Sequence, residues 1–188
     1  MIELRELQLY QLEILKELAR VCDENDIVYY IAYGTLLGAV RHQGFIPWDD
    51  DIDVCMDYEN YVKFEQIAPK ALNERYYYSN RRSNPQNYIH WSRIGVKNST
   101  SINKSLSMVH ADWGVCINIF PMFDVPDDEN KRAEFTNDVK KYVKYSTKYL
   151  HMYTLKEEKG MQKLKKMMHS EDENVMIKFD EPYQNYWT

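Results

Sequence analysis

The sequence predicts a protein of the α+β class, in which helices and short strands are mixed along one chain. Three observations predict it. Residues 3–24 have apolar side chains at helical spacing, short β-branched and aromatic runs follow, and from about Asp128 the chain is charged and again helical in spacing. With 188 residues and 44% hydrophobic side chains, the chain is long enough for one full-sized globular domain.

The N-terminal segment 3–24 is predicted to be an amphipathic helix that stops at Asn25. Its apolar positions at helical spacing are Leu4, Leu7, Ile14, Leu15, Leu18 and Cys22. The next segment, Ile27–Ala32, reads IVYYIA and is predicted to be a strand because its residues are β-branched and aromatic.

This strand runs into Gly34 and Thr35, and Leu36–Arg41 is then predicted to be a short helix that closes near Gly44. Pro47 ends the connection.

A second strand is predicted at Asp51–Met56, and Asp57 is predicted to cap the helix that follows it. Shorter apolar stretches come next, at Tyr76–Tyr78, Ile89–Val96 and Val115–Phe120. A further helix is predicted at Lys156–His169. We therefore divide the chain into a core, residues 1–125, and a helical C-terminal extension, residues 126–188.

Charge and cysteine content restrict the function and the compartment. A net charge of -5 gives no general electrostatic reason to bind nucleic acid. The three cysteines show no CxxC spacing, and no apolar run approaches the ~18 residues of a membrane span. A reducing, cytoplasmic compartment is expected. A peripheral association with a membrane and a homo-oligomer both stay open.

Four aspartates lie within five residues, between apolar flanks. Such crowding needs a compensating cation or full solvation. In a strand, Asp49, Asp51 and Asp53 would share one face and Asp50 would point the other way. Same-face carboxylates can hold divalent cations between them, and oxygen ligands select Mg²⁺ or Mn²⁺.

Just upstream, a strand that ends in Gly34-Thr35 at the head of a helix offers backbone N–H groups and a hydroxyl to a phosphate. Together with the aspartates of the next strand, this is the arrangement that metal-dependent nucleotidyl transfer requires. Each piece alone has a simpler reading, as a plain turn or a solvated acidic loop. Their order and close spacing favour the combined site.

The stretch Tyr33–Val54, YGTLLGAVRHQGFIPWDDDIDV, closely resembles the signature of the LicD family of the nucleotidyltransferase superfamily. This family includes phosphorylcholine transferases and is related to the fukutin-type ribitol-phosphate transferases. A weaker resemblance follows at Gly114–Pro121, GVCINIFP. The resemblance implies a nucleotidyltransferase-like fold, with a small mixed sheet and flanking helices.

It also implies a transfer of a phospho-substituent from a CDP-activated donor, CDP-choline first among the candidates. The acceptor would be a sugar hydroxyl of a cell-surface glycan such as lipopolysaccharide or teichoic acid. By position, Asp51 and Asp53 would be the principal metal ligands, with Asp49 near a second ion. The residues implied for substrate binding are Gly34, Thr35, Arg41, His42, Arg93 and Lys97.

Two departures from the family pattern leave alternatives open. Asn118 stands where the family's third-strand Asp is expected, and an amide cannot act as a base. The chain also looks short at its C-terminal end relative to the family. A catalytically reduced nucleotide-binding, glycan-binding or partner subunit is one alternative, and a nucleotidyltransferase that acts on a small molecule is another.

Overall fold

A computed structural model describes the protein at residues 2–80, 82–84, 89, 91–101 and 112–140. The chain divides into two compact units. The first contains residues 1–83, 89–101 and 112–122, and the second contains residues 84–88, 102–111 and 123–188.

The first unit is built on a five-stranded sheet with helices, which confirms the α+β class. The elements are α1 (Leu4–Glu24), β1 (Tyr30–Ile31), α2 (Tyr33–His42), β2 (Asp53–Asp57), α3 (Tyr58–Ala71), β3 (Tyr76–Ser79), β4 (Ser92–Val96) and β5 (Cys116–Met122). The strand order is β1-β2-β5-β4-β3. The β2–β5 pair is parallel and the other three pairs are antiparallel, so the sheet is mixed as expected.

One face of the sheet packs against α1 and α3 and forms the core. Along β5, buried Ile117 and Ile119 alternate with the half-buried Cys116, Asn118 and Phe120, which is the two-residue period of a strand with one covered face. The buried residues of the helices and the sheet form one apolar cluster. This confirms the expected mixed sheet with flanking helices.

Local sequence signals define the start of α3 and the end of α1. The carboxylate of Asp57 accepts a hydrogen bond of 2.9 Å from the backbone N–H of Asn60, so Asp57 is the predicted N-cap of α3. Helix α1 ends at Glu24 with Asn25 as its C-cap, also as predicted.

The first strand is shorter than predicted. Only Tyr30–Ile31 pairs in the sheet, whereas Ile27–Ala32 was expected to be a strand. The reason is that other partners take the first residues of this segment. The N–H of Ile27 donates to the carbonyl of Cys22 at the end of α1, and the N–H of Val28 donates to the side-chain oxygen of Asn60.

Two boundaries around the acidic segment also differ. Helix α2 begins at Tyr33, so Gly34 and Thr35 lie in its first turn instead of before it. Its C-cap is Gln43 in the left-handed conformation, one residue before Gly44. Strand β2 begins at Asp53, two residues after the predicted start.

In the second unit, the described residues include a helix from residue 129 to residue 140. The side chain of Asp128 accepts a hydrogen bond of 2.9 Å from the N–H of Lys131 and so caps this helix where the sequence predicted its start. The helix predicted at Lys156–His169 lies outside the described residues. Among the helices of the described part, none is long and apolar enough to cross a membrane.

Candidate active site

A polar row crosses three adjacent strands on the face of the sheet opposite to the core. Asp53 on β2 is the register partner of Asn118 on β5, and Asn118 is the register partner of Arg93 on β4. All three side chains are half-buried. Because register partners on neighbouring strands lie ~5 Å apart and point to the same side, the row forms one continuous polar surface.

The side-chain amide of Asn118 connects the row. Its nitrogen donates to Asp53 Oδ1 at 3.0 Å, and its oxygen accepts from Trp91 Nε1 at 2.9 Å and from Arg93 Nε at 3.2 Å. Indole and guanidinium N–H groups can only donate, so these two partners fix the orientation of the amide. The amide oxygen is therefore turned toward Trp91 and Arg93, and Asp53 receives the amide N–H.

The acidic segment before β2 is shaped by a turn. The N–H of Asp49 donates to the carbonyl of Ile46 at 3.0 Å across Pro47 and Trp48, and proline suits the second position of such a turn. Past this turn, Asp49, Asp50 and Asp51 each offer a carboxylate oxygen, and the three oxygens lie within 4.8 Å of one another.

The prediction that Asp50 points away from the other aspartates is therefore wrong. It assumed the alternation of a strand, and the strand begins only at Asp53. The structure brings Asp49 and Asp51 together with Asp50, while Asp53 contacts Asn118.

Burial and crowding change the acidity of two of these groups. Burial, and after it the charges of Asp53, Asp49 and Asp50, raises the pKa of Asp51 to about 6. Burial also raises the pKa of Asp53; the hydrogen bond from Asn118 opposes this rise and the charge of Asp49 adds to it. The segment thus has a negative potential that a cation would relieve.

The N-terminus of α2 lies directly beside the aspartates. The hydroxyl oxygen of Thr35 accepts a hydrogen bond of 2.9 Å from the N–H of Asp53, and its own proton has no acceptor among the described residues. A Cβ atom at Gly34 would lie 2.5 Å from Asp49 Oδ2, so a glycine is needed for this close approach. The first N–H groups of a helix have no partner within the helix and attract anions.

Residues 26–162 match the family described as LicD/FKTN/FKRP, nucleotidyltransferase domain, which is well over half of the chain. The chain belongs to this family. A lipopolysaccharide cholinephosphotransferase, LicD, of Haemophilus influenzae is 47% identical over 73 residues, or 39% of this chain and 28% of that protein. The human ribitol 5-phosphate transferase FKRP is 36% identical over 72 residues, or 34% of this chain and 14% of that protein.

These alignments therefore span less than a third of each relative's length. The family match contains the acidic segment, α2, Arg93 and Asn118, and it begins after the end of α1.

The remaining residues predicted to bind substrate are exposed side chains. Arg41 and His42 are exposed at the end of α2, where Arg41 Nε donates to His42 Nε2 at 3.0 Å. Lys97 is exposed just beyond β4. Within the described part of the LicD-family domain, no hydrogen bond or ion pair joins these three side chains to the aspartates. Their roles stay predictions.

Sequence reasoning missed three residues at the site. Trp91 donates to Asn118, and its ring lies 5.0 Å from that of Phe120; nothing in the sequence marks it. Gln8 and Gln11 of α1 donate to backbone carbonyls of the acidic segment. The sequence did contain a signal for Gln11. Its position falls on the buried face of the helix, where the apolar series would place an apolar residue.

Proposed function

We propose that this LicD-family chain binds a CDP-activated donor with Mg²⁺ or Mn²⁺ and transfers the donor's phospho-substituent to a hydroxyl of a cell-surface glycan. The observation that carries the proposal is the hydrogen bond between Asp53 N–H and the Thr35 hydroxyl. It joins a helix N-terminus that suits a phosphate to carboxylates that suit a cation. The relatives LicD and FKRP are both named for the transfer of a phosphate-containing group.

The residues present fit a hard divalent cation. The oxygens of Asp49, Asp50 and Asp51 lie close enough together to share one ion, and Asp53 has a second oxygen beyond the one that Asn118 contacts. When bound, the cation would neutralise charge on the donor phosphates. The assignment thus extends the predicted ligand set by Asp50.

The chain's own groups would bind and orient the donor. The backbone N–H of Gly34 and the hydroxyl of Thr35 are suited to a phosphate oxygen. Arg93 donates to Asn118 through Nε. Its two terminal nitrogens make no hydrogen bond to the described residues and would contact the transferring group. Phosphorylcholine is the first candidate for that group because the LicD relative is named a cholinephosphotransferase.

A second candidate function is supported by Asn118. The amide at this position is neutral and already bonded to Asp53, Trp91 and Arg93, so it supplies neither charge to a cation nor a base to the acceptor. A chain of this kind would bind the donor or a glycan without turnover, or act as a partner subunit.

A thermal-shift panel tests the proposal, using CDP-choline, CDP-ethanolamine, CDP-ribitol and ATP, each with and without Mg²⁺. Ligand at 100 times its Kd stabilises the folded state by about 2.7 kcal/mol. We expect one CDP compound to raise Tm only when Mg²⁺ is present. Asp53→Asn should abolish this rise, and Asp23→Asn, the same change at an exposed position of α1, should keep it.

Release of CMP with a glycan acceptor then separates the two candidates. Turnover supports transfer, and Mg²⁺-dependent binding with no turnover supports the second candidate. If no CDP compound shifts Tm more with Mg²⁺ than without it, the transferase is rejected, and so is the version of the second candidate that binds the donor.

A further inference from the structure

Helix α1 buries two glutamines on the side that packs against the sheet. Gln8 is 3% exposed and Gln11 is 4% exposed, and they lie on the same face as the buried Ile14 and Leu18. A buried amide destabilises a protein unless it is hydrogen-bonded, so the partners of these two side chains indicate what they do.

Both side chains donate to backbone carbonyls that surround the aspartates. Gln8 Nε2 donates to the carbonyl of Asp49 at 2.9 Å and to that of Ile46 at 3.3 Å. Gln11 Nε2 donates to the carbonyl of Asp50 at 2.9 Å and to that of Cys116 on β5 at 3.3 Å. Because every acceptor is a backbone oxygen, the carboxylates themselves stay available for a ligand.

Apolar packing alone does not explain Gln11. Its side-chain oxygen is buried and has no hydrogen-bond partner within the described part of the chain. A methionine of similar volume would fill the same space without an unpartnered oxygen. What the amide of Gln11 supplies, and a methionine would not, is the pair of bonds to Asp50 and β5.

We infer that Gln8 and Gln11 are positioning residues, which hold the backbone at residues 46–50 and so fix the spacing of the three neighbouring carboxylates for a divalent cation. The part of the inference that concerns cation binding rests on the proposed function, whereas the part that concerns the backbone conformation does not. Residues 49–52 have no regular secondary structure, and mutual repulsion of the aspartates favours their separation. The three bonds from α1 to this segment oppose that separation, and the bond from Gln11 to Cys116 ties the same side chain to β5.

The test compares Gln8→Met and Gln11→Met with Leu18→Ala, a control that weakens the same helix at a core position away from the aspartates. Gln8→Leu and Gln11→Leu form a second pair, because a leucine side chain can neither donate nor accept a hydrogen bond and adds no charge. Hydrogen exchange of residues 46–53 is measured on the metal-free protein, and Mn²⁺ affinity is measured by titration calorimetry well below each Tm.

We expect exchange of residues 46–53 to accelerate at least tenfold in the glutamine variants, with α3 unchanged, and Mn²⁺ to bind at least fivefold more weakly. Leu18→Ala should lower Tm with neither local effect. Exchange equal to that of the wild type, or an Mn²⁺ Kd within twofold of it, overturns the inference. A wild-type protein that binds no Mn²⁺ instead rejects the cation in the proposed function, and exchange alone then decides the positioning role.

Discussion

Replacing Gly34 by alanine should separate ligand binding from folding. A Cβ at this position would lie 2.5 Å from Asp49 Oδ2, well inside the 3.4 Å at which ordinary contacts begin. The atom in the way is the end of a side chain and not backbone, so the carboxylate can turn aside. We expect Gly34→Ala to fold normally and to bind a divalent cation and donor more weakly.

The two effects have opposite signs. Alanine is more favourable than glycine in a helix by up to about 1 kcal/mol, so Tm should stay constant or rise. The carboxylate of Asp49 must move by about 0.9 Å, the difference between 2.5 and 3.4 Å. A displacement of ~1 Å in an active site can reduce activity about 100-fold, and we expect at least a tenfold weaker Mn²⁺ Kd, which is about 1.4 kcal/mol.

Two other glycines of the same region provide controls. A Cβ at Gly44 meets nothing within 4 Å, so Gly44→Ala should change neither Tm nor Mn²⁺ affinity. A Cβ at Gly38 would lie 2.6 Å from the carbonyl oxygen of Gly44 and 2.9 Å from the nitrogen of Ile46. Both atoms belong to the backbone, so Gly38→Ala should lower Tm.

The assay is thermal unfolding of the four proteins together with Mn²⁺ titration calorimetry. Wild-type Mn²⁺ affinity in Gly34→Ala would show that Asp49 takes no part in cation binding. A fall in Tm as large as that of Gly38→Ala would show that the carboxylate cannot move away and that the reasoning about a flexible neighbour is wrong.

Two further predictions concern charge. The pKa of Asp51 rises from 3.8 to about 6 on folding, so the metal-free protein loses stability as pH rises between these values. This pKa difference corresponds to a change in the free energy of unfolding of about 3 kcal/mol. Because the group is partly exposed, solvent screening reduces the loss to about 1 kcal/mol. Asp51→Asn in EDTA should therefore raise stability by ~1 kcal/mol at pH 7 and not at pH ~4 in urea unfolding, and an equal gain at both values would exclude this cause. Asn118→Asp would place a second carboxylate beside Asp53, so we expect lower stability in EDTA. Calorimetry should show about five- to thirtyfold tighter Mn²⁺ binding. Equal or weaker binding would reject a cation next to residue 118.

Local signals made much of the fold predictable. The apolar spacing of residues 3–24 and the capping side chain of Asp57 act over a few residues, and both elements form where they were predicted. The short strands were found from their composition, but their ends depend on partners far along the chain. Val28, for example, is kept out of β1 by a bond to Asn60, 32 residues away.

The acidic segment was recognised from its composition but not its conformation. The prediction assigned residues 49–53 to a strand with side chains on alternate faces. In the structure, the turn at Pro47 and the bonds from α1 hold them in an irregular conformation. The orientation of Asp50 follows from those distant bonds. The local sequence contains the carboxylates and the proline, and it does not contain the glutamines that fix them.

Trp91 and the orientation of Asn118 could not be foreseen for a related reason. A single Trp before a strand has many roles, and its bond to Asn118 joins two residues 27 apart, one just before β4 and the other on β5. The apolar series of α1 did contain a usable signal, because Gln11 occupies a position that the helical period assigns to the buried face.

The position of β5 in the sheet has a consequence for synthesis of the protein. This strand comes last in the sequence among those described, yet it lies between β2 and β4. At about 5–20 residues per second, the 65 residues from Asp53 to Asn118 take the ribosome roughly 3–13 s to add. During that interval β2 presents an unpaired edge, as does β4 once residue 96 has been added, and the apolar residues that face α1 and α3 lack their central strand. A nascent chain arrested before residue 116 should therefore bind chaperones and no cation.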